Sequence, residues 1–217
     1  PVGHSGDPAS WRIATFNASL YRANSGQLAS DLERGDDQAA RAAAIVQRIR
    51  PSVLLINEFD FYREGAAVGR FTSNYLGVGQ FGGTPIRYDY AFIAPVNTGE
   101  PSGLDLDGDG TTDGPGDALG FGAHPGQYGM LLLSQLPIRT NRVRTFQLLL
   151  WRDMPDHSMP GDFYGPDEAA ILRLSSKSHW DVPVELPDGR ILHLLASHPT
   201  RRVFEVSEDL NGRRNFD

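Results

Sequence analysis

Apolar positions fall in short runs separated by long polar stretches. The first run, Trp11 to Asn17, alternates: Ile13 and Thr15 share one face while Arg12, Ala14 and Phe16 share the other. That period of two predicts a core strand ending at Asn17. A helical period follows. Ala42, Ile45, Val46 and Ile49 lie at i, i+3, i+4 and i+7, with Arg41, Gln47 and Arg48 on the opposite side. The spacing predicts an amphipathic helix up to Arg50 that buries the first set and exposes the second. Asp36 and Asp37 suit its positive N-terminus, and Pro51 ends it. Val53 to Ile56 is apolar on both faces, as an inner strand covered on both sides requires, and it delivers Asn57 and Glu58 at its end.

Residues 62–127 carry no sustained period and are rich in Gly, Pro, Asn, Asp and aromatics. So long a stretch inside a domain is usually held by a function or by a bound ion. Beyond it, Gly129 to Ser134 predicts another core strand, with Val143 to Leu150 as its partner. Asp181 to Glu185 and Arg190 to Ala196 flank Pro187-Asp188-Gly189, whose residues supply fixed or positive φ, so a hairpin is predicted. Its second arm runs into Ser197-His198-Pro199. Three predicted strands therefore end in Asn17, Glu58 and His198, and the ends of neighbouring strands are where α/β folds gather their chemistry. Singly, each has a plainer reading. Asn17 is a turn residue, Glu58 the first solvated side chain past a core strand, and His198 a hydrogen-bonded loop histidine. In order at three strand ends, Glu58 and His198 read as a site, and Asn17 by a narrower margin.

Composition limits the classes. A chain of 217 residues that is 40% hydrophobic has room for one core, so 11–217 reads as a single domain after a flexible 1–10. The start at Pro1, with neither an initiator Met nor an apolar leader, reads as trimmed. No apolar run approaches the roughly 20 residues of a membrane-spanning helix. With no cysteine, disulfides, zinc–thiolate centres and cysteine nucleophiles are excluded. The net charge of −7, from 20 Lys+Arg against 27 Asp+Glu, repels a phosphate backbone at long range. A nucleic-acid coat protein is thereby disfavoured, and a nuclease with a local metal site stays open.

Four segments carry a resemblance. Ala14-Thr15-Phe16-Asn17, Ile56-Asn57-Glu58, the run from Tyr128-Gly129 through Ser134 to Pro137, and Ala196-Ser197-His198 resemble, in order, motifs of the endonuclease/exonuclease/phosphatase superfamily. The match runs from Trp11 to about Pro199. It implies an α+β fold, a two-layer β-sandwich of mixed sheets flanked by helices (DNase I-like), that hydrolyses phosphate esters with Mg²⁺ or Mn²⁺. Glu58 would be the hard oxygen ligand for that ion. Asn17 would hold a ligand water or the Glu58 carboxylate. His198 would stabilise the phosphate or protonate the leaving oxygen, for which an imidazole with an ordinary pKa of roughly 6.5 is suited. Tyr128, at the head of the third motif, is taken as a substrate contact. Within Ser175 to Asp181, Lys177 or His179 could meet a phosphate oxygen; the alternative is a polar loop anchored by Trp180.

Two features sit apart from that pattern. Asp105, Asp107, Asp109 and Asp113, with Gly110, open like a calcium loop, but Gly116 stands where the bidentate Glu belongs and the flanks are not helical. A looser Ca²⁺ site and a plain acidic turn both remain open; the former would order the insertion and favour an extracellular or cell-surface protein. The resemblance also requires a later Asp-x-Asn and a terminal Asp-His, and neither follows His198. Gly161-Asp162-Phe163 has Tyr164 in place of Asn and precedes His198, so it reads as coincidence. The domain is accordingly expected to be incomplete at its C-terminus, its partner being a missing segment of the same protein. The functions in play are a metal-dependent phosphoesterase acting on a small or lipid-linked phosphodiester, a DNA or RNA nuclease, and a catalytically inactive, calcium-stabilised binding module.

Overall fold

The computed structural model describes residues 10–201 and 207–217, with Glu64 described in its backbone alone. Its elements run β1 (Ile13–Leu20), α1 (Gln27–Arg34), α2 (Asp37–Ile49), β2 (Val53–Phe59), α3 (Ala66–Phe71), β3 (Tyr90–Ile93), β4 (Met130–Ser134), β5 (Arg144–Thr145), α4 (Pro166–Ile171), β6 (His179–Glu185), β7 (Ile191–Ser197) and α5 (Leu210–Phe216). One sheet has the order β1-β2-β4-β3, with β1 and β2 parallel and the other pairs antiparallel. The second, β5-β6-β7, is antiparallel throughout. No helix among the described residues is long and apolar enough to cross a membrane.

β2 is apolar on both faces because each meets a different layer. Leu54 and Ile56, with Leu131 and Leu133 of β4, pack on Leu28 and Leu32 of α1, Ala39, Ala43 and Val46 of α2, and Phe71 of α3. Val53, with Met130 and Leu132 of β4, faces Trp180, Val182 and Val184 of β6. Phe92 meets Trp180 edge-on at 4.9 Å. A fully buried side chain of this size stabilises the fold by about 1.5–3 kcal/mol, so both interfaces hold β2 in place. The result is an α+β sandwich of two sheets with helices over the outer face of the first.

Several details differ from the sequence pattern. β1 does not stop at Asn17 but continues to Leu20 through a register shift between Asn17 and Leu20. It also lies at the outside of its sheet, with Ile13 50% exposed, so it is not a core strand. The segment Val143 to Leu150 does not pair with β4. Both edges of β4 are taken by β2 and β3, and Arg144–Thr145 joins β6 instead. β3 lies inside 62–127, where four residues are too few to reveal a period. The rest of that stretch is packed loop: Thr98 bridges to Gly120, Pro101 to Ala118, and Val96, Asn97, Thr98 and Asp117 are buried. Gly99 sits at φ 72, where an added Cβ would lie 1.8 Å from the His124 carbonyl oxygen, so a side chain there is excluded.

Helix α2 begins as the pattern requires. The Asp36 side chain accepts the Ala39 N–H at 2.7 Å, and the helix ends in a left-handed Arg50 before Pro51. Its buried face, however, is rotated. Gln47 is 2% exposed, whereas Ile45 and Ile49 are 45% and 47% exposed. The Gln47 amide donates to the carbonyls of Tyr75, Leu76 and Val78, and its oxygen accepts the Gln80 N–H. Tyr75 and Leu76 close an irregular turn, and Gln47 adds to the bonds that the Ile86 N–H and the Gln80 side chain already make to these carbonyls, so a polar side chain is what the position needs. Gln47→Leu should therefore cost about 1–3 kcal/mol in urea denaturation, because it removes these buried bonds and takes away the acceptor of the Gln80 N–H, while Ile45→Lys should stay within about 0.5 kcal/mol. A tolerated Gln47→Leu together with a damaging Ile45→Lys would put the buried face back where the apolar spacing has it.

Candidate active site

The parallel register of β1 and β2 sets Asn17 beside Asn57, with Glu58 one residue further on. There the chain turns: Glu58 has φ 60, a left-handed conformation that a non-glycine residue adopts at a cost of roughly 1 kcal/mol or more. The Glu58 carboxylate accepts the Asn17 amide N–H at 2.8 Å. The Asn17 oxygen accepts the Ser19 backbone N–H at 3.0 Å, so the amide is oriented with its nitrogen toward Glu58. His198, just beyond β7, brings Nε2 to 3.6 Å from the same Glu58 oxygen. The His198 ring, then the Asn17 amide, hold the Glu58 carboxyl down at about 2 against the opposing effect of burial. Asn17, Glu58 and His198 do meet, although β1 runs on past Asn17.

Two more of the expected residues share this neighbourhood. Lys177 is 8% exposed; desolvation pulls its ammonium down to about 8, and the Glu58 charge opposes that fall. Its Nζ donates to Ser176 Oγ at 3.4 Å, and that hydroxyl is 2.6 Å from Thr200 Oγ1. Tyr128 has φ 55 and lays its ring on Tyr21, centroid to centroid 4.5 Å. Its phenol is raised by burial and by the nearby Tyr21, Glu58 and Asp60.

His179 is not brought in. Successive strand residues point to opposite faces, and as Trp180 takes the inner face of β6, His179 takes the outer one. It lines a cavity of about 480 Å³ with Phe146, Leu195, Arg214 and Phe216 that also reaches Ser176 and Thr200 beside Lys177; neither Glu58 nor Asn17 is among the lining residues. Asp105, Asp107 and Asp109 bring ligand oxygens within 4.8 Å of one another, and Asp113 is not part of that group. The Asp105 carboxylate accepts the N–H groups of Gly108, Asp109 and Gly110, so the turn also holds itself.

Two residues of the site carried no sequence assignment. The Asn57 Oδ1 is buried with no hydrogen-bond partner, and only its place in Ile56-Asn57-Glu58 hinted at it. Asp60, 3% exposed, accepts the backbone N–H of Arg22 at 2.7 Å and of Tyr128 at 3.0 Å. Burial pushes it up to about 6 against those two donors. Nothing in the surrounding Phe59-Phe61-Tyr62 marks an acid for burial. The oxygen donors are the ionised Glu58 carboxylate and, next to it in the chain, the unpartnered Asn57 Oδ1; the Asn17 amide turns its nitrogen to Glu58 and steadies the carboxylate. A carboxylate with an amide oxygen fits a Mg²⁺-type ion, which keeps several waters of its own.

The chain belongs to the endonuclease/exonuclease/phosphatase family, whose family model matches residues 14–209. The family comprises phosphoesterase- and nuclease-type hydrolases. Among solved structures the chain is similar to an endonuclease/exonuclease/phosphatase from Beutenbergia cavernae (16% identity, 87% of this chain and 38% of that one, TM-score 0.43). It is also similar to a protein of the same family from Leptotrichia buccalis (12% identity, 95% of this chain and 61% of that one, TM-score 0.44). It thus spans less than two thirds of either. Among curated proteins none matches.

Asp60 predicts a pH dependence. Its folded pKa of about 6 lies above the ordinary 3.8. The stability it contributes is therefore fully present below 3.8 and lost as the pH rises through 6. Between pH 4 and 7.5, wild type should lose up to about 3 kcal/mol relative to Asp60→Asn, whose missing acceptor adds only a constant offset. Parallel stability–pH curves for the two proteins would refute the buried, raised carboxyl.

Proposed function

We propose that this chain is the metal-holding and phosphate-holding part of a Mg²⁺-dependent phosphoric ester hydrolase. The convergence of Asn17, Glu58 and His198, with Lys177 beside them, carries the reading. Glu58 holds Mg²⁺ or Mn²⁺ with the Asn57 amide oxygen as a further ligand, while the Asn17 amide N–H fixes the carboxylate. When bound, that ion polarises a phosphoryl oxygen and offsets charge growing in the transition state. Lys177 faces a non-bridging phosphate oxygen, His198 holds the phosphate or protonates the leaving oxygen, and Tyr128 with Tyr21 walls one side. A small or lipid-linked phosphodiester suits the acidic chain better than duplex DNA, which the −7 charge repels.

The reading includes a further segment of the same protein that supplies the water-activating groups. In support, Asp105, Asp107 and Asp109 are the one group of three metal-capable His or acidic side chains among the described residues, and Glu58 belongs to no such group. The longest natural chain containing this sequence should hydrolyse bis-p-nitrophenyl phosphate with Mg²⁺ and stop with EDTA. Glu58→Gln and His198→Ala should each slow it by about 10²-fold or more. The 217-residue chain alone should do no better than its own Glu58→Gln variant. Turnover indifferent to both substitutions would refute the site, robust Glu58-dependent turnover by the short chain would refute the missing segment, and EDTA-sensitive plasmid nicking would favour the nuclease.

A second reading rests on the Asp105, Asp107 and Asp109 oxygens: a weak Ca²⁺ site in a protein that works outside the cell, where calcium is plentiful. Calcium should then raise the melting temperature, and Asp107→Asn should remove the effect. A melting temperature blind to calcium leaves a plain acidic turn.

A further inference from the structure

Two consecutive residues of the 62–127 stretch reach opposite flanks of the site. Asn97 is 1% exposed. Its backbone N–H donates to the Lys177 carbonyl at 2.9 Å, and its side-chain amide donates to the carbonyls of Ser175 and Gln147, each at 2.8 Å. The turn that carries Lys177 is thus held by one buried amide. Thr98, fully buried, takes the other flank: its hydroxyl donates to the Gln127 carbonyl, and its own carbonyl accepts the Gly126 N–H at 3.1 Å. Gln127 in turn donates its side-chain amide to the Arg22 carbonyl at 2.7 Å and precedes Tyr128. A second contact backs the first. Gly99 N–H donates to the Gly120 carbonyl at 2.9 Å, and Gly120 lies so close to Ser176 that a Cβ on it would sit 2.1 Å from the Ser176 carbonyl oxygen.

We propose that Asn97 and Thr98 are positioning residues that set the distance between the Lys177 flank and the Tyr128 flank of the cleft. Through them the segment 94–127 selects which phosphate esters fit. One peptide unit joins the two anchors, so the flanks cannot move apart without breaking a buried hydrogen bond, and a stranded buried carbonyl is costly. The inference rests on the assignment of Lys177 and Tyr128 to the substrate and says what holds them at their separation. Neither Asn97 nor Thr98 needs to touch the substrate.

The test follows the Lys177 side-chain and Tyr128 ring resonances of the 217-residue chain while inorganic phosphate is added in the presence of Mg²⁺. Lys177→Ala, Gly120→Ala and Thr98→Val are compared with wild type, with melting temperature as a control for folding. Gly120→Ala should weaken phosphate binding about tenfold and move the Lys177 resonances, because the new methyl pushes on Ser176. Thr98→Val, nearly isosteric and so expected to fold, should move the Tyr128 ring resonances with Lys177 unchanged; if Gly120→Ala does not fold, this arm decides. In the longest natural chain, Thr98→Val should change KM for bulky esters more than kcat. If Lys177→Ala weakens phosphate binding while both other variants match wild type, the positioning role is overturned and the site stands. If wild type ignores phosphate, or Lys177→Ala binds it equally well, the site assignment falls and the positioning role with it.

Discussion

The site depends on where β2 stops being buried. For four residues both faces of the strand are covered, by helices on one side and the second sheet on the other, and no charge is tolerable there. Past Ile56 the first polar side chains, Asn57 and Glu58, stand half-buried at a fixed place because the buried residues on either side cannot slide: a shift of one would exchange the two faces. Glu58 then leaves the strand with positive φ. The carboxylate is thus presented beside Asn17 from the parallel neighbour and His198 from the opposite sheet. An ionised carboxyl at such a point needs partners, and these two supply them.

Acidity elsewhere is compensated locally. Arg22 pairs with Asp31 at 2.8 Å and Asp36 at 2.5 Å, and Asp181 is shared between Arg144 and His193, each at 2.7 Å. Arg22 also offers its backbone N–H to Asp60 and its carbonyl to Gln127, so the floor under Tyr128 is tied to the same network that caps α2. The net negative charge therefore does not describe the neighbourhood of Glu58, which the Lys177 ammonium and the His198 ring share.

What could be read in the sequence was what local rules control. The two-faced run of β2, the hairpin around Asp188-Gly189 and the start of α2 at Asp36 and Asp37 each depend on a few adjacent residues, and each stands where the pattern put it. Asn17, Glu58 and His198 were legible because a polar residue ending an apolar run is visible in one dimension. Gln47 was not, because its partners, Tyr75 to Gln80, lie roughly 30 residues on and form no repeat. Between Lys177 and His179 the pattern did not choose; once Trp180 points inward, the alternation of a strand sends His179 to the other face. The pairing of β5 with β6 was hidden because β4 is claimed on both sides, one partner being the short β3. Asn97 and Thr98 fall in a stretch without period, where position is set by buried hydrogen bonds that no spacing announces.

Glu58 is assigned to hold the metal ion, where it meets Asn17 and His198. The most direct test is paramagnetic broadening by substoichiometric Mn²⁺ in the NMR spectrum of the 217-residue chain. If Glu58 holds the ion, amides around Asn17, Asn57, Glu58 and His198 broaden first, and Glu58→Gln abolishes the effect without changing the rest of the spectrum. Broadening confined to Asp105 to Asp109, or unchanged by Glu58→Gln, would contradict the assignment.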